Sequence, residues 1–280
     1  MPISALKNYK IHKWTTSDTA SAEEDLVAIE EPLEMVLIHY LDTELKETSL
    51  TLTMRSPGND EALAIGFLFN EGIITSLNDV EHIRYCVKSE EAQKNKLRIT
   101  LKKGITVTTE FSQRNFMSTS SCGICGKQLL DEIANDFAKI TFASMVNVST
   151  ITNLPNQLNK GQLLFKHTGG IHACGLFTSG GSLIDLKEDI GRHNALDKII
   201  GNQIMQNQTF DQTIIVLSGR VGYEMAQKTA KAGIPILVAI GAPTSLAIDI
   251  AQEAGICLIG FAKNLSLNCY THPEYIDFEK

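Results

Sequence analysis

Thr213-Ile-Ile-Val-Leu217, Tyr223 to Ala232, Gly233, Pro235-Ile-Leu-Val-Ala-Ile240, Ser245 to Ala254, Gly255 and Ile256-Cys-Leu-Ile-Gly260 follow one another almost without interruption. Each short apolar run is long enough for a strand and too short for a helix. Each of the two segments between them carries apolar residues at helical spacing and ends on a glycine. This strand–helix alternation predicts an α/β fold with a parallel sheet and right-handed crossovers. Working upstream, His172 to Thr178 is strand-like, Ser179-Gly180-Gly181 is a hairpin turn into Ser182-Leu-Ile-Asp185, and Leu163-Leu-Phe165 also reads as strand. Between them and Thr213, Glu188 to Lys198 opens a helix that continues through Ala195, Leu196, Ile199 and Ile200 and stops near Gly201 or shortly after Met205. Asp189 is the candidate cap, leaving Arg192, His193 and Asn194 on the first turns. Residues 142–280 therefore form one α/β domain.

In open α/β sheets the ligand lies beyond the carboxyl ends of the strands. Here those ends carry Ser218-Gly219-Arg220, Gly241-Ala242-Pro243-Thr244-Ser245 and Phe261-Ala262-Lys263-Asn264. Three consecutive parallel strands would deliver glycines, hydroxyls, an Arg and a Lys to a single rim. The first two loops also open helices, whose free N–H groups favour phosphate. A large anionic ligand with phosphates fits such a rim better than a small neutral one. Turn-making alone would account for the Gly and Ser of any single loop. Arg192 and His193 belong either to the same rim or to a capping cluster.

The amino-terminal part reads differently. Leu26 to Ile29, Leu33 to Tyr40 and Ser49 to Met54 alternate as strands, and Pro57-Gly58-Asn59-Asp60 is a turn into a helix over Glu61 to Glu71 that Gly72 ends. Leu97 to Leu101 and Ile105 to Thr108 suggest a hairpin. Residues 1–112 form a small, mostly β domain. Residues 113–141 hold a polar lead, the segment Ser121-Cys122-Gly123-Ile124-Cys125-Gly126-Lys127, and a helix marked by Leu130, Ile133, Ala134 and Phe137.

The chain has 280 residues, 43% of them hydrophobic, and a formal net charge of −7, which argues against a nucleic-acid protein because phosphate-backbone binding rests on a basic face. Met1 to Asp25 lacks the apolar run of a signal peptide, and the apolar runs elsewhere are strand-sized, so a soluble cytoplasmic protein is expected, with no membrane partner. Six scattered cysteines do not make a disulfide framework. Cys86, Cys174 and Cys257 lie in apolar surroundings and read as small buried hydrophobes.

Cys122 and Cys125 are different. A helix N-terminus and Lys127 both favour thiolate, and Gly123 and Gly126 remove bulk around the sulfurs. Four readings stand open: unremarkable loop thiols, half of a zinc site shared by two chains, a thioredoxin-like redox pair, and a nucleophile or sulfur carrier. Gly169-Gly170-Ile171-His172-Ala173-Cys174 resembles the His-Ala-Glu segment of cytidine-deaminase-like proteins, with Cys174 at the Glu position. The fold is compatible with that comparison, and the deaminase chemistry is not.

Taken together, Pro57-Gly58-Asn59-Asp60 with Leu63 to Leu68 and Glu71-Gly72, Ser120 to Lys127, Gly169 to Ala173, Glu188 to Ala195, and Ala242 to Ala247 resemble the formate dehydrogenase accessory sulfurtransferase family, FdhD. The resemblance spans nearly the whole chain in family order. It implies a cytidine-deaminase-like fold for the second domain, a homodimer, and no permanently bound metal. By the same resemblance, a protein of this kind takes sulfur from a cysteine desulfurase and delivers it to the molybdenum of the bis(molybdopterin guanine dinucleotide) cofactor, on which formate dehydrogenase depends. Cys122 then matches the persulfide cysteine and Cys125 its partner, while Phe261, Ala262, Lys263, Asn264, Leu265 and Ser266 match the cofactor segment. Three positions depart from the pattern: Gly241 replaces a common Ser, Val221-Gly222-Tyr223 replaces Ser-Phe, and Lys263 replaces Arg, losing bidentate phosphate geometry. The competing reading is a non-catalytic chaperone for the molybdenum cofactor.

Overall fold

The computed structural model describes residues 5–16, 18–41, 43–86, 95–105, 107, 139–263 and 265–279. The chain forms β1 (Leu6–Thr15), β2 (Asp18–Ala28), β3 (Glu31–Leu41), β4 (Glu44–Arg55), α1 (Asp60–Asn70), β5 (Val80–Tyr85) and β6 (Lys96–Leu101). It continues with β7 (Val146–Asn147), α2 (Val148–Gly161), α3 (Leu163–Thr168), β8 (His172–Thr178), β9 (Leu183–Asp189) and α4 (Arg192–Met205). Last come β10 (Thr213–Leu217), α5 (Tyr223–Lys231), β11 (Ile236–Ala239), α6 (Ser245–Ala254), β12 (Cys257–Lys263), β13 (Ser266–Cys269) and β14 (Ile276–Asp277). Among the described residues no helix is long and apolar enough to cross a membrane.

The larger sheet has the order β13-β12-β11-β10-β8-β9. Its centre is parallel, as the alternation predicts: β10 pairs with β11 and β11 with β12. The flanks are antiparallel, so the sheet is mixed rather than wholly parallel, because β8–β9 and β12–β13 are hairpins that need no crossover. The central strands read as unbroken apolar runs because both faces are covered. Ile215, Leu217, Leu237, Ala239 and Leu258 face α4, α5 and α6, whereas Ile214, Val216, Ile236, Val238 and Ile259 face α2.

The smaller sheet, β4-β3-β6-β5, packs Leu33, Met35, Leu37, Leu97, Ile99 and Leu101 against Leu63, Ile65 and Leu68 of α1. Parallel β3 and antiparallel β5 occupy both edges of β6. That leaves β6 no free edge, and of the expected Ile105 to Thr108 strand the described residues Ile105 and Val107 are not extended in a sheet, the others lying outside the described residues. Val80–Tyr85, which lacks a clear apolar alternation, takes its place. Leu163-Leu-Phe165 is helical instead of extended: the Glu188 carboxylate accepts the amides of Leu164 and Phe165 at 2.8 Å each, and Gly169 ends the turn at φ 64°. Asp189 is the last residue of β9, and Gly191 caps α4.

Helices α1 and α4 cross at a pair of glycines. A Cβ on Gly66 would lie 2.0 Å from the Asp197 carbonyl oxygen, and one on Gly201 would lie 1.8 Å from that of Ala62. Backbone therefore meets backbone, and polar groups close the seam. Fully buried Lys198 is 2.6 Å from Asp189 and donates to the Ser56 carbonyl at 2.9 Å. The Asn194 amide donates to Met54 O and Asp189 Oδ1 at 2.8 and 3.1 Å. On the same joint, buried Arg55 holds Asp60 through two bonds of 3.1 and 2.9 Å and also reaches Glu31, while the Tyr85 hydroxyl donates to Asp60. Burial, and then the Asp60 charge, push the Tyr85 phenol above its ordinary pKa. Two stretches singled out in the sequence, Pro57–Asp60 with the helix after it and Glu188–Ala195, thus meet at one interface.

Candidate functional site

The three loops at the carboxyl ends of β10, β11 and β12 are joined through their backbones. Gly241 N donates to Gly219 O at 3.1 Å, and Phe261 N donates to Gly241 O at 3.1 Å. Val221 N bonds Ala242 O, and Thr244 N bonds Val221 O, at 3.1 and 2.9 Å. The approach explains one departure noted in the sequence. A Cβ on Gly241 would stand 2.9 Å from Gly219 O and 3.0 Å from Arg220 N, so a Ser here would push the loops apart. The start of β8 joins the same edge, since Ala173 N donates to Ser218 Oγ at 2.9 Å and Ser218 N to Ala173 O at 3.0 Å.

Arg220 and Lys263 are both exposed on this rim. Behind them stand the amino-terminal ends of α5 and α6; Thr244 caps the latter by accepting the Ala247 amide at 3.4 Å. Free amides and helix dipoles at such ends favour anions by about 0.3–1 kcal/mol each.

The third loop is the tip of the β12–β13 hairpin. Phe261 and Leu265 adopt φ of 53° and 61°, a left-handed conformation that costs a non-glycine residue roughly 1–3 kcal/mol. Phe261 is 41% exposed and Leu265 81%, so no core burial offsets that strain. Ala262 is buried, Ser266 Oγ donates to Lys263 O at 2.7 Å, and the register shifts between Gly260 and Lys263. Asn264 lies outside the described residues.

The first turn of α4 brings further groups. His193 Nε2 is 2.8 Å from Glu224 on α5. That hydrogen bond, more than the coulombic attraction of His193, holds the Glu224 carboxyl down at about 2. His172, at the head of β8, has its pKa pushed below the ordinary imidazole value by burial and then by the nearby charges of Arg192 and His193, with Asp189 opposing. A Cβ placed on Gly219 would stand 3.6 Å from the His172 Nδ1, so the ring faces the first rim loop. Beside the rim is a cavity of about 540 Å³ lined by Gln162, Phe165, Ile171, His172, Ile190 and Ser218.

Arg192, His193 and Arg220 were legible as candidates. His172 and Glu224 enter the cluster only through tertiary contacts, and no spacing in the sequence links them. Cys174 is fully buried, and burial pushes its thiol pKa up, which suits a packing residue rather than a proton carrier. Cys122, Cys125 and the helix expected after them lie outside the described residues. Among the described residues no cluster of His, Cys, Asp and Glu is arranged to hold a metal ion.

A mixed sheet layered by helices, with its rim loops joined through their backbones and a helix crossing that ties it to a small β sheet, defines an α/β protein with an added β unit. The chain belongs to the FdhD/NarQ family, which it matches over residues 30–277. It is 44% identical to the sulfur carrier protein FdhD of Sulfolobus acidocaldarius over 97% of this chain and 99% of that one. To the protein of the same name from Sulfurisphaera tokodaii it is 41% identical, over 99% and 100% of the two chains. The Mycolicibacterium paratuberculosis protein of that name is 40% identical over 93% and 95%. A crystal structure described as a formate dehydrogenase accessory protein, from Desulfotalea psychrophila, shares the fold with a TM-score of 0.71 at 21% identity, over 97% of this chain and 99% of that one.

Proposed function

We propose that this protein is a sulfur carrier in the maturation of formate dehydrogenase. It takes sulfur from a cysteine desulfurase and hands it to the molybdenum of the bis(molybdopterin guanine dinucleotide) cofactor, which is its substrate. The reading rests on family membership and on relatives named as sulfur carriers. The single structural observation that supports it is the joined rim, where Arg220, Lys263 and two helix N-termini gather around one edge of the sheet.

In this mechanism the Cys122 thiolate attacks the outer sulfur of the desulfurase persulfide. A new S–S bond forms on Cys122, the old one breaks, and the desulfurase thiolate leaves. Cys125 assists by shuttling the sulfur or by attacking the inner sulfur of the Cys122 persulfide, so that a Cys122–Cys125 disulfide forms as the outer sulfur leaves as sulfide. Arg220, Lys263 and the helix amides would hold the phosphates of the guanosine halves, with the Phe261–Ser266 segment contributing to the same cofactor site. The protein acts in the cytoplasm as a homodimer.

Incubation with a cysteine desulfurase and cysteine, followed by intact mass measurement and peptide mapping, tests the carrier step. A reducible gain of one sulfur mass on the Cys122–Cys125 peptide supports it, and Cys122→Ala should abolish both that gain and formate dehydrogenase activation. No gain, with guanosine diphosphate still bound, replaces it with the non-catalytic cofactor chaperone.

A further inference from the structure

At the base of the rim hairpin a second pair of thiols is in contact. Cys257 on β12 and Cys269 on β13 have their sulfurs 3.7 Å apart. The strands pair Ile259 with Cys269, so Cys257 is the diagonal neighbour of Cys269, within reach on the same face. The two thiols are unequal in exposure. Cys257 is fully buried, whereas Cys269 is half-buried and reachable by a small reagent.

Their surroundings are unequal as well. The hydrogen bond shared with Cys257 pulls the Cys269 pKa below the ordinary thiol value against the opposing effect of burial, and the Thr271 carbonyl, 3.4 Å away, is the other acceptor within reach of the Cys269 thiol. The same bond to Cys269, and then burial, push Cys257 above it. His272 and Glu274 are the other charged groups facing the pair; His272 favours the Cys269 thiolate and Glu274 opposes it. One accessible sulfur is therefore disposed to attack, beside a buried sulfur that keeps its proton. Sequence reading made Cys257 an inert hydrophobe and gave Cys269 no role.

We propose that Cys257 and Cys269 form a second dithiol that accepts sulfane sulfur and releases it as sulfide, closing a disulfide across β12 and β13. The inference rests on the sulfur-carrier reading only in taking a persulfide as its co-reactant. Cys269 thiolate attacks the outer sulfur of a persulfide R–S–SH; the Cys269–S–SH bond forms and R–SH leaves. Cys257 sulfur then attacks the inner sulfur of that persulfide, the S–SH bond breaks, and the Cys257 proton goes with the departing sulfur as hydrogen sulfide. The sulfane sulfur is reduced by two electrons and the two thiols are oxidised to a disulfide, so the step balances without another oxidant. Sulfide is thereby produced at the end of the β12–β13 hairpin away from the rim loop, and a thiol reductant resets the pair.

The test uses the full chain with Cys122→Ser and Cys125→Ser, treated with glutathione persulfide. Expected are about one sulfide per chain, no further release until a thiol reductant is added, and a linked Cys257–Cys269 peptide after alkylation. Cys257→Ser in this background should accumulate one extra sulfur mass on Cys269 without the sulfide burst. Cys269→Ser should lose both. Sulfide release unchanged by Cys269→Ser, or a Cys269 that remains fully alkylatable after treatment, overturns the proposal. The desulfurase-loading experiment on the unaltered chain reads Cys122 separately, so failure of the carrier step and failure of this pair are told apart.

Discussion

Replacing Gly201 with Ala should destabilise the protein although it improves the helix. In a helix interior Ala is better than Gly by about 1 kcal/mol, so an unobstructed Gly201→Ala change would raise stability by that amount. Here the new methyl would sit 1.8 Å from the Ala62 carbonyl oxygen and 2.6 Å from the Gly66 amide nitrogen. Since carbon–oxygen contacts close no further than about 3.3 Å, α1 and α4 must part by roughly 1.5 Å. A gap of that size forfeits more than half of the dispersion energy along the seam and strains the buried Lys198–Asp189–Ser56 contacts, as overpacking of about 1–3 kcal/mol. Both obstructing atoms belong to backbone and cannot rotate away, which places the effect in the upper half of that range. The net loss is about 1–2 kcal/mol, or roughly 2–3 °C in melting temperature for a chain of this size. Urea and thermal unfolding measure it directly. Gly66→Ala should act with the same sign, and the double variant should lose less than the sum, because helices already parted accept the second methyl more easily. A Gly201→Ala protein that melts higher than the parent would refute the close crossing.

Lys198→Met should cost about 3–5 kcal/mol by leaving the buried Asp189 without its cation, and adding Asp189→Asn should restore part of it; equal stability of the single and double variants would remove the ion pair from the seam. Glu224 lies below its usual pKa of 4.5, so its stabilising contribution is fully present above that value and is lost as pH falls towards about 2. Glu224→Gln should therefore flatten stability against pH in that acid window, with unfolding midpoints at a series of pH values as the measurement. His172 is also depressed in the folded chain, so its contribution is present above its unperturbed value and is lost on acidification. His172→Gln should accordingly make the acid limb near pH 6 shallower, and an unchanged slope would dismiss the burial argument. Arg220→Ala and Lys263→Ala should each weaken guanosine diphosphate binding, about tenfold where a desolvated contact of 1.4 kcal/mol is lost; unchanged affinity in both calorimetric titrations would remove phosphate from the rim.

The parts of the fold that were legible in the sequence are those in which local pattern and tertiary role agree. β10, β11 and β12 are buried on both faces, so their apolar runs are unbroken, and Gly233 and Gly255 mark the helix ends at φ of 73° and 81°. Leu163-Leu-Phe165 misled because three apolar residues fit either conformation, and the carboxylate that starts the turn comes from Glu188, far along the chain. β1 and much of β2 form a two-stranded ribbon exposed on both sides, with Trp14 at 69% exposure, and so carry no burial pattern to read. In the candidate site the three loops were visible because topology alone puts them on one edge. The His193–Glu224 contact, the nearness of His172 to Gly219 and the Cys257–Cys269 pair were not, since each depends on which neighbours the sheet and helices happen to select.

The glycine crossing also imposes an order on birth. About 135 residues separate Gly66 from Gly201, so at ribosomal rates of about 5–20 residues per second α1 leaves the exit tunnel roughly 7–27 s before its partner helix can reach it. Throughout that interval the smaller sheet must hold α1 by itself, with the seam around Ala62 and Gly66 bare to water. A nascent chain stalled before Arg192 would offer that seam to chaperones and proteases. The rim loops at Ser218–Arg220, Gly241–Ser245 and Phe261–Lys263 are synthesised after both crossing helices, so the seam can close before the rim is complete.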